Sequence, residues 1–177
     1  MTGVQTCALP ISVDFLTGKV SNVTAKPATD QEIVQTIKVM GGEDWLLWIK
    51  RLFQENLIKS GFLTIAFSYI GPEFTKAIYR DGTIGRAKED LEFKADEINR
   101  LVAANNVRAI ISVNKALVTR ASAVIPAVPL YIALLYKVMK EKNLHEGCIQ
   151  QMYRLYHDVL FTGKDPKIDS KSRVRMD

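Results

Sequence analysis

Two short apolar runs with a long amphipathic run between them constrain this chain most. Phe62-Leu-Thr-Ile-Ala-Phe67 follows Gly61 and reads as a strand buried on both faces. Val107-Arg-Ala-Ile-Ile-Ser-Val113 reads as a second strand of the same kind. Between them the spacing predicts a helix over Thr83 to Ala104, with Ile84, Ala87, Leu91, Ala95, Ile98 and Val102 as its buried stripe. Lys88, Glu89, Lys94, Asp96 and Arg100 fall mostly on its solvated face. Parallel neighbours need a crossover of a dozen or more residues, so strand, long helix and strand predict a βαβ unit and an α/β fold. Two strands alone do not make a stable sheet, which agrees with a chain cut from a larger protein.

Around this unit the reading is mostly helical. Thr29 and Glu32 have the spacing of a capping box, opening a helix with Ile33, Ile37 and Val39 on its apolar face. Gly41-Gly42 is expected to stop it through the left-handed geometry glycine tolerates. A second helix is predicted over Glu43 to Leu57, with Leu46, Ile49, Leu52 and Phe53 at helical spacing and Trp45 and Trp48 packed as core. Arg80-Asp81-Gly82 marks a turn. Pro129 suits the first position of a helix running to Lys142. Asn143 and Glu146 form the next capping pattern, opening a helix to Phe161. Ser12 to Lys26 reads as extended or loop, and beyond Thr162 the chain is polar without a period.

Composition excludes several classes. Among 177 residues, 24 Lys+Arg against 19 Asp+Glu leave +5, with 47% hydrophobic residues, which excludes a disordered, collagen-like or disulfide-scaffold chain. Gly163 to Asp177 holds five basic and three acidic side chains, so +2 of that charge is local and no nucleic-acid partner is expected. Cys7 and Cys148 make neither a zinc site nor a secreted framework, and a reducing, cytoplasmic setting is expected. The longest uncharged run, Ala121 to Tyr136, holds two prolines and falls short of the ~20 residues that span a bilayer, so no transmembrane segment is expected. Met1 to Ile11 carries no charge and resembles the conceptual translation of a sequencing-adapter oligonucleotide. The expected division is therefore an artefactual leader over 1–11, a catalytic portion over 12–162 and a polar, truncated tail over 163–177.

Few residues carry an obvious chemistry. The dinucleotide, phosphate-loop, zinc-protease and nucleophile-elbow motifs are absent, and no metal is expected. His145, His157 and Cys148 read as ordinary helix or packing residues. Tyr79 and Lys88 are more informative. An ammonium near a phenol lowers its pKa, so the two make a workable acid for reducing a carbonyl-conjugated bond. On one continuous helix nine residues place them on opposite faces, so they converge only if Tyr79 precedes the helix and Asp81-Gly82 turns the chain.

The strings around them narrow the field. Val39-Met-Gly-Gly-Glu-Asp-Trp45, Ser68-Tyr-Ile-Gly71, Ile78-Tyr-Arg-Asp-Gly-Thr-Ile-Gly85 and Ala87-Lys-Glu-Asp-Leu91 come in succession. Ser112-Val-Asn-Lys-Ala-Leu-Val-Thr119, Pro129-Leu-Tyr131 and Tyr136-Lys-Val-Met-Lys-Glu-Lys142 follow. Together they resemble the trans-2-enoyl-CoA reductase family, which includes the FabV type of bacterial enoyl-acyl-carrier-protein reductase, from about Val13 to Asp177.

The resemblance implies part of a Rossmann-like parallel sheet with flanking helices, lacking its N-terminal nucleotide-binding half. It implies NADH as cofactor and an enoyl-CoA or enoyl-acyl-carrier-protein thioester as substrate, in a monomer serving bacterial fatty acid synthesis. Tyr79 would be the proton donor, matching the family's Tyr-x8-Lys signature, and Lys88 would hold the nicotinamide ribose hydroxyls. Tyr69 would meet the substrate thioester, and Leu117, Val118 and Thr119 would line the nicotinamide. Ala123 to Leu135 suits either an acyl-chain pocket or plain core. Without a pyrophosphate loop, the chain is expected to be inactive alone. The competing reading is a non-catalytic helical module that binds an acyl carrier protein. A ketoacyl reductase is the third.

Overall fold

The computed structural model describes residues 11–14, 17–22, 24, 26–77, 79–103, 106–117 and 128–177. A short antiparallel hairpin pairs β1 (Ile11–Val13) with β2 (Val20–Asn22). Helices α1 (Asp30–Met40) and α2 (Glu43–Gln54) follow. The strand β3 (Leu63–Ser68), helix α3 (Thr83–Leu101) and strand β4 (Arg108–Val113) form the expected parallel βαβ unit. After α4 (Val128–Glu141), the helix α5 (Cys148–Tyr153) continues as a π-helical segment over Arg154–Leu160. The last strand, β5 (Arg173–Arg175), pairs in parallel with β4, giving the order β3-β4-β5. That strand lies in the stretch read from sequence as polar and aperiodic: three residues are too few to show a period of two.

The central strand β4 carries the core. Ala109 joins Leu46, Ile49, Ile98 and Val102 of α2 and α3, while Ile111 and Val113 pack on Leu91 and Ala95. Ile110 points the other way, onto Leu155, Leu160 and Val174. Helices therefore cover both faces, as parallel strands require. Asn99 of α3 fastens this packing by bonding both polar groups of Ala109's backbone, at 2.8 and 2.7 Å. Strand β3 sits at the edge among the described strands, and Phe67 is 49% exposed, so it is not buried on both faces as expected.

Other local expectations meet tertiary corrections. The Thr29–Glu32 capping box forms. Gly41 and Gly42 end α1, but neither is left-handed. What requires glycine at 42 is close approach: a Cβ there would lie 2.6 Å from Cβ of Lys94, while its N–H donates to Asp90 Oδ2 at 2.9 Å. Trp45 packs against the core and donates Nε1–H to Thr64, whereas Trp48 is 68% exposed and Val39 is exposed too. Asn143 and Glu146 make no cap. Asn143 takes a left-handed turn, and α5 begins later, behind Gly147. Glu146 instead pairs with Arg154 and with Lys115, the latter far back in the sequence and invisible to local pattern. Cys148 is exposed rather than packed. Among the described residues no helix is long and apolar enough to cross a membrane.

Candidate functional site

Because β3, β4 and β5 are parallel, their carboxyl ends open on one side of the sheet. The ends are tied there: Asn114 N–H donates to Ser68 O at 2.9 Å, and Met176 N–H to Val113 O at 2.8 Å. Crevices outside such strand ends are where open α/β sheets bind ligands. A cavity of about 380 Å³ lies there, lined by Tyr69, Tyr79, Lys88, Asn114, Leu117 and Ile132 among others. A second, of about 360 Å³, shares Tyr69, Lys115 and Ala116 with it and runs on to Tyr131, Leu135 and Met139. A larger hollow of about 570 Å³ lies between residues 26–28 and α1. None of the candidate residues lines it, and its Glu32 is occupied by the helix cap.

The convergence of Tyr79 and Lys88 comes about as the turn chemistry requires. Tyr79 precedes α3, its N–H donating to Thr75 O and its carbonyl accepting from Gly85 N–H. The chain folds so tightly here that a methyl group on Gly85 would overlap the carbonyl of Arg80. Lys88 stands in the second turn of α3 and faces the same cavity. Tyr69, just past β3, meets Tyr79 edge to face, with ring centroids 5.1 Å apart and planes at 76°.

Burial sets the charges. Desolvation pushes the Tyr79 phenol above its ordinary value of 10.0, with the Arg80 guanidinium pulling weakly the other way. The expected lowering by Lys88 is therefore not what the structure shows: burial outweighs charge, and the opposing cation is Arg80. Burial also raises Tyr69, reinforced by its hydrogen bond with Tyr131. Lys88 is held below its ordinary 10.5 by desolvation, and it makes no hydrogen bond or ion pair among the described residues. The cleft thus holds two phenols that keep their protons and one half-buried cation without an acceptor among the described residues. Such a cation suits hydroxyl or anionic oxygens of a bound ligand.

Leu117 lines the cleft, while Val118 and Thr119 lie outside the described residues. Of Ala123 to Leu135, residues 123–127 lie outside as well; Val128, Tyr131, Ile132 and Leu135 line the two cavities. Asn114, Lys115 and Tyr131 also line these cavities, and no local sequence pattern marks them for that position. The loop after β4 is held in place by fully buried Gln151, whose Oε1 accepts Lys115 N–H at 3.0 Å, and by Tyr136, whose hydroxyl donates to Ala116 O at 3.0 Å.

Fold and site together define an α/β protein with a tyrosine- and lysine-lined cleft beyond the carboxyl ends of a parallel sheet. A model of the trans-2-enoyl-CoA reductase catalytic region matches residues 3–161. A Coxiella burnetii protein named enoyl-acyl-carrier-protein reductase (NADH) is 57% identical over 94% of this chain and 41% of its own length. A Clostridium perfringens trans-2-enoyl-CoA reductase (NADH) is 56% identical over 94% of this chain and 42% of its own. The crystal structure of a Clostridium acetobutulicum trans-2-enoyl-CoA reductase with NADH superposes at TM-score 0.93 and 46% identity, covering 99% of this chain and 44% of that one. The chain belongs to the trans-2-enoyl-CoA reductase family. It spans about two-fifths of the length of the curated relatives it matches.

Proposed function

We propose that this chain is part of an enzyme that reduces the 2,3-double bond of trans-2-enoyl-CoA or enoyl-acyl-carrier-protein thioesters with NADH, in bacterial fatty acid synthesis. One observation carries the reading: Tyr69, Tyr79 and Lys88, drawn from three segments, line a single cleft beyond the strand ends. The names of the relatives supply the substrate class and the NADH. The residues present fit the cofactor, since Lys88 is a desolvated cation in want of an oxygen partner.

Lys88 and Leu117 are the described residues that would hold NADH here, with Val118 and Thr119 next to Leu117 in sequence. When bound, NADH supplies the hydride that reaches the β-carbon of the enoyl thioester. As it does so, negative charge develops on the thioester oxygen, and hydroxyls of Tyr79 and Tyr69 donate to that oxygen. Their raised pKa values keep both protonated at neutral pH, which suits donors better than bases. Tyr79 is the proton donor, and protonation at the α-carbon completes the reduction. The cavity beyond Tyr69, with Leu135 and Met139 on its wall, takes the acyl chain. The working unit is a cytoplasmic monomer.

The test is Tyr79→Phe in the full-length reductase with NADH and crotonyl-CoA. Turnover is expected to fall by roughly 10²- to 10⁴-fold, the range for a positioned proton donor, with NADH binding nearly unchanged. Unaltered turnover would sink this assignment. Retained affinity for an acyl carrier protein without any NADH-linked reduction would favour the non-catalytic module.

A further inference from the structure

A charged cluster lies behind the cleft, outside the residues assigned to it. The Glu92 side chain is 8% exposed, and three cations surround its carboxylate. Arg80 Nη2 donates to both oxygens at 3.3 and 3.2 Å, Arg173 Nη1 donates to Oε1 at 3.0 Å, and Lys171 Nζ donates to Oε2 at 3.1 Å. Arg173 is held in turn by Asp169 at 2.7 Å. The other amino group of Arg80, Nη1, is buried without a partner among the described residues. The guanidinium is therefore held chiefly by Glu92.

The position of this cluster matters more than its strength. Arg80 is the residue after Tyr79, and Glu92 is one helical turn after Lys88 on the same side of α3. The loop bearing the phenol is thus fastened to the helix bearing the ammonium, four residues from that ammonium. Backbone bonds to Thr75 and Gly85 anchor the main chain of Tyr79, and among the described residues the Arg80–Glu92 hydrogen bond ties this stretch by side chain to the body of α3. Arg173 and Lys171 extend the tie to β5, whose carboxyl end borders the second cavity.

We propose that Glu92 is a positioning residue, which through Arg80 keeps the Tyr79 hydroxyl in register with Lys88. This inference rests on the site reading above and adds a residue that touches neither substrate nor cofactor.

The test compares Glu92→Gln in the full-length reductase with the same change made in a Tyr79→Phe background, measuring kcat, KM for NADH and thermal midpoint. The expected result is a fall in kcat of about tenfold or more with KM for NADH within about twofold, and little further loss in the Tyr79→Phe background, since misplacing an absent hydroxyl costs nothing. An equal proportional loss in both backgrounds would overturn the proposal, because Glu92 would then act on the fold at large. Full kcat in Glu92→Gln would overturn it as well. If Glu92→Gln does not fold, Arg80→Lys carries the same comparison, with a single ammonium in place of the planar guanidinium. Wild-type turnover in Tyr79→Phe alone would strike down the site reading itself. Failure of the inference alone leaves Tyr79→Phe impaired.

Discussion

Lys88 and Glu92 stand one turn apart on the same helix, both withdrawn from water, and the fold treats them in opposite ways. Glu92 is surrounded by three cations and held below its usual 4.5: burial by itself raises it, but hydrogen bonds from Arg80 and Lys171 outweigh that. Lys88 receives no partner among the described residues, and burial moves it down unopposed. A buried charge that is fully paired is built into the architecture. One that is left unpaired costs stability and is retained where a ligand completes it. The same few turns of α3 therefore carry a paired acid and a half-buried cation with no partner among the described residues, the position proposed above for the cofactor.

Stability measurements give the widest separation between the two. Glu92→Ala is expected to cost about 3–5 kcal/mol in urea unfolding, as breaking one side of a buried ion cluster strands the remaining charges. Lys88→Met, which removes a desolvated charge at similar volume, is expected to be neutral or stabilising. Equal costs at the two positions would abolish the contrast. Gly85→Ala comes next, at about 3 kcal/mol. The new methyl group collides with backbone rather than with a flexible side chain, and the turn joining Arg80 to α3 has to open. A thermal midpoint unchanged by Gly85→Ala would show that the turn is looser than described.

The smallest effect lies in pH, with opposite signs at the two positions. Glu92 has a folded pKa below 4.5, so its stabilisation is complete above that value and is lost as pH falls through the folded pKa. The cost of Glu92→Ala is expected to shrink in acid. Lys88 has a folded pKa below 10.5, so the folded protein releases this proton before the unfolded chain does. The penalty of burying the ammonium then fades as pH rises from the folded value towards 10.5, and wild type gains on Lys88→Met across that window. Unfolding curves of each variant against wild type check both signs.

Much of the frame was legible from local pattern. The period of α3, the two flanking strands and the Thr29 cap depend on neighbours within a few residues, and all appear where the sequence places them. The Tyr79–Lys88 meeting was legible as a condition, a turn at Asp81-Gly82, and the structure meets it. The failures share another character. Trp48 and Phe67 are apolar yet exposed, because helical or strand periodicity does not reveal which neighbours cover a face. Glu146 looks like a cap but pairs with Lys115 and Arg154. Glu92, three residues before buried Ala95 on the apolar stripe, was the one available hint of a buried acid, and its partners at 171 and 173 lie some 80 positions downstream.

By itself the sequence determined the α/β class, the parallel βαβ unit and the tyrosine and lysine that could meet if the chain turned before the helix, since periodicity, capping and side-chain chemistry are short-range properties. Only the tertiary structure decided which charge on α3 is paired within the fold and which faces the cleft. That choice depends on who stands opposite a side chain in space, and the cations opposite Glu92 come from a turn before the helix and from positions 171 and 173, distant in sequence.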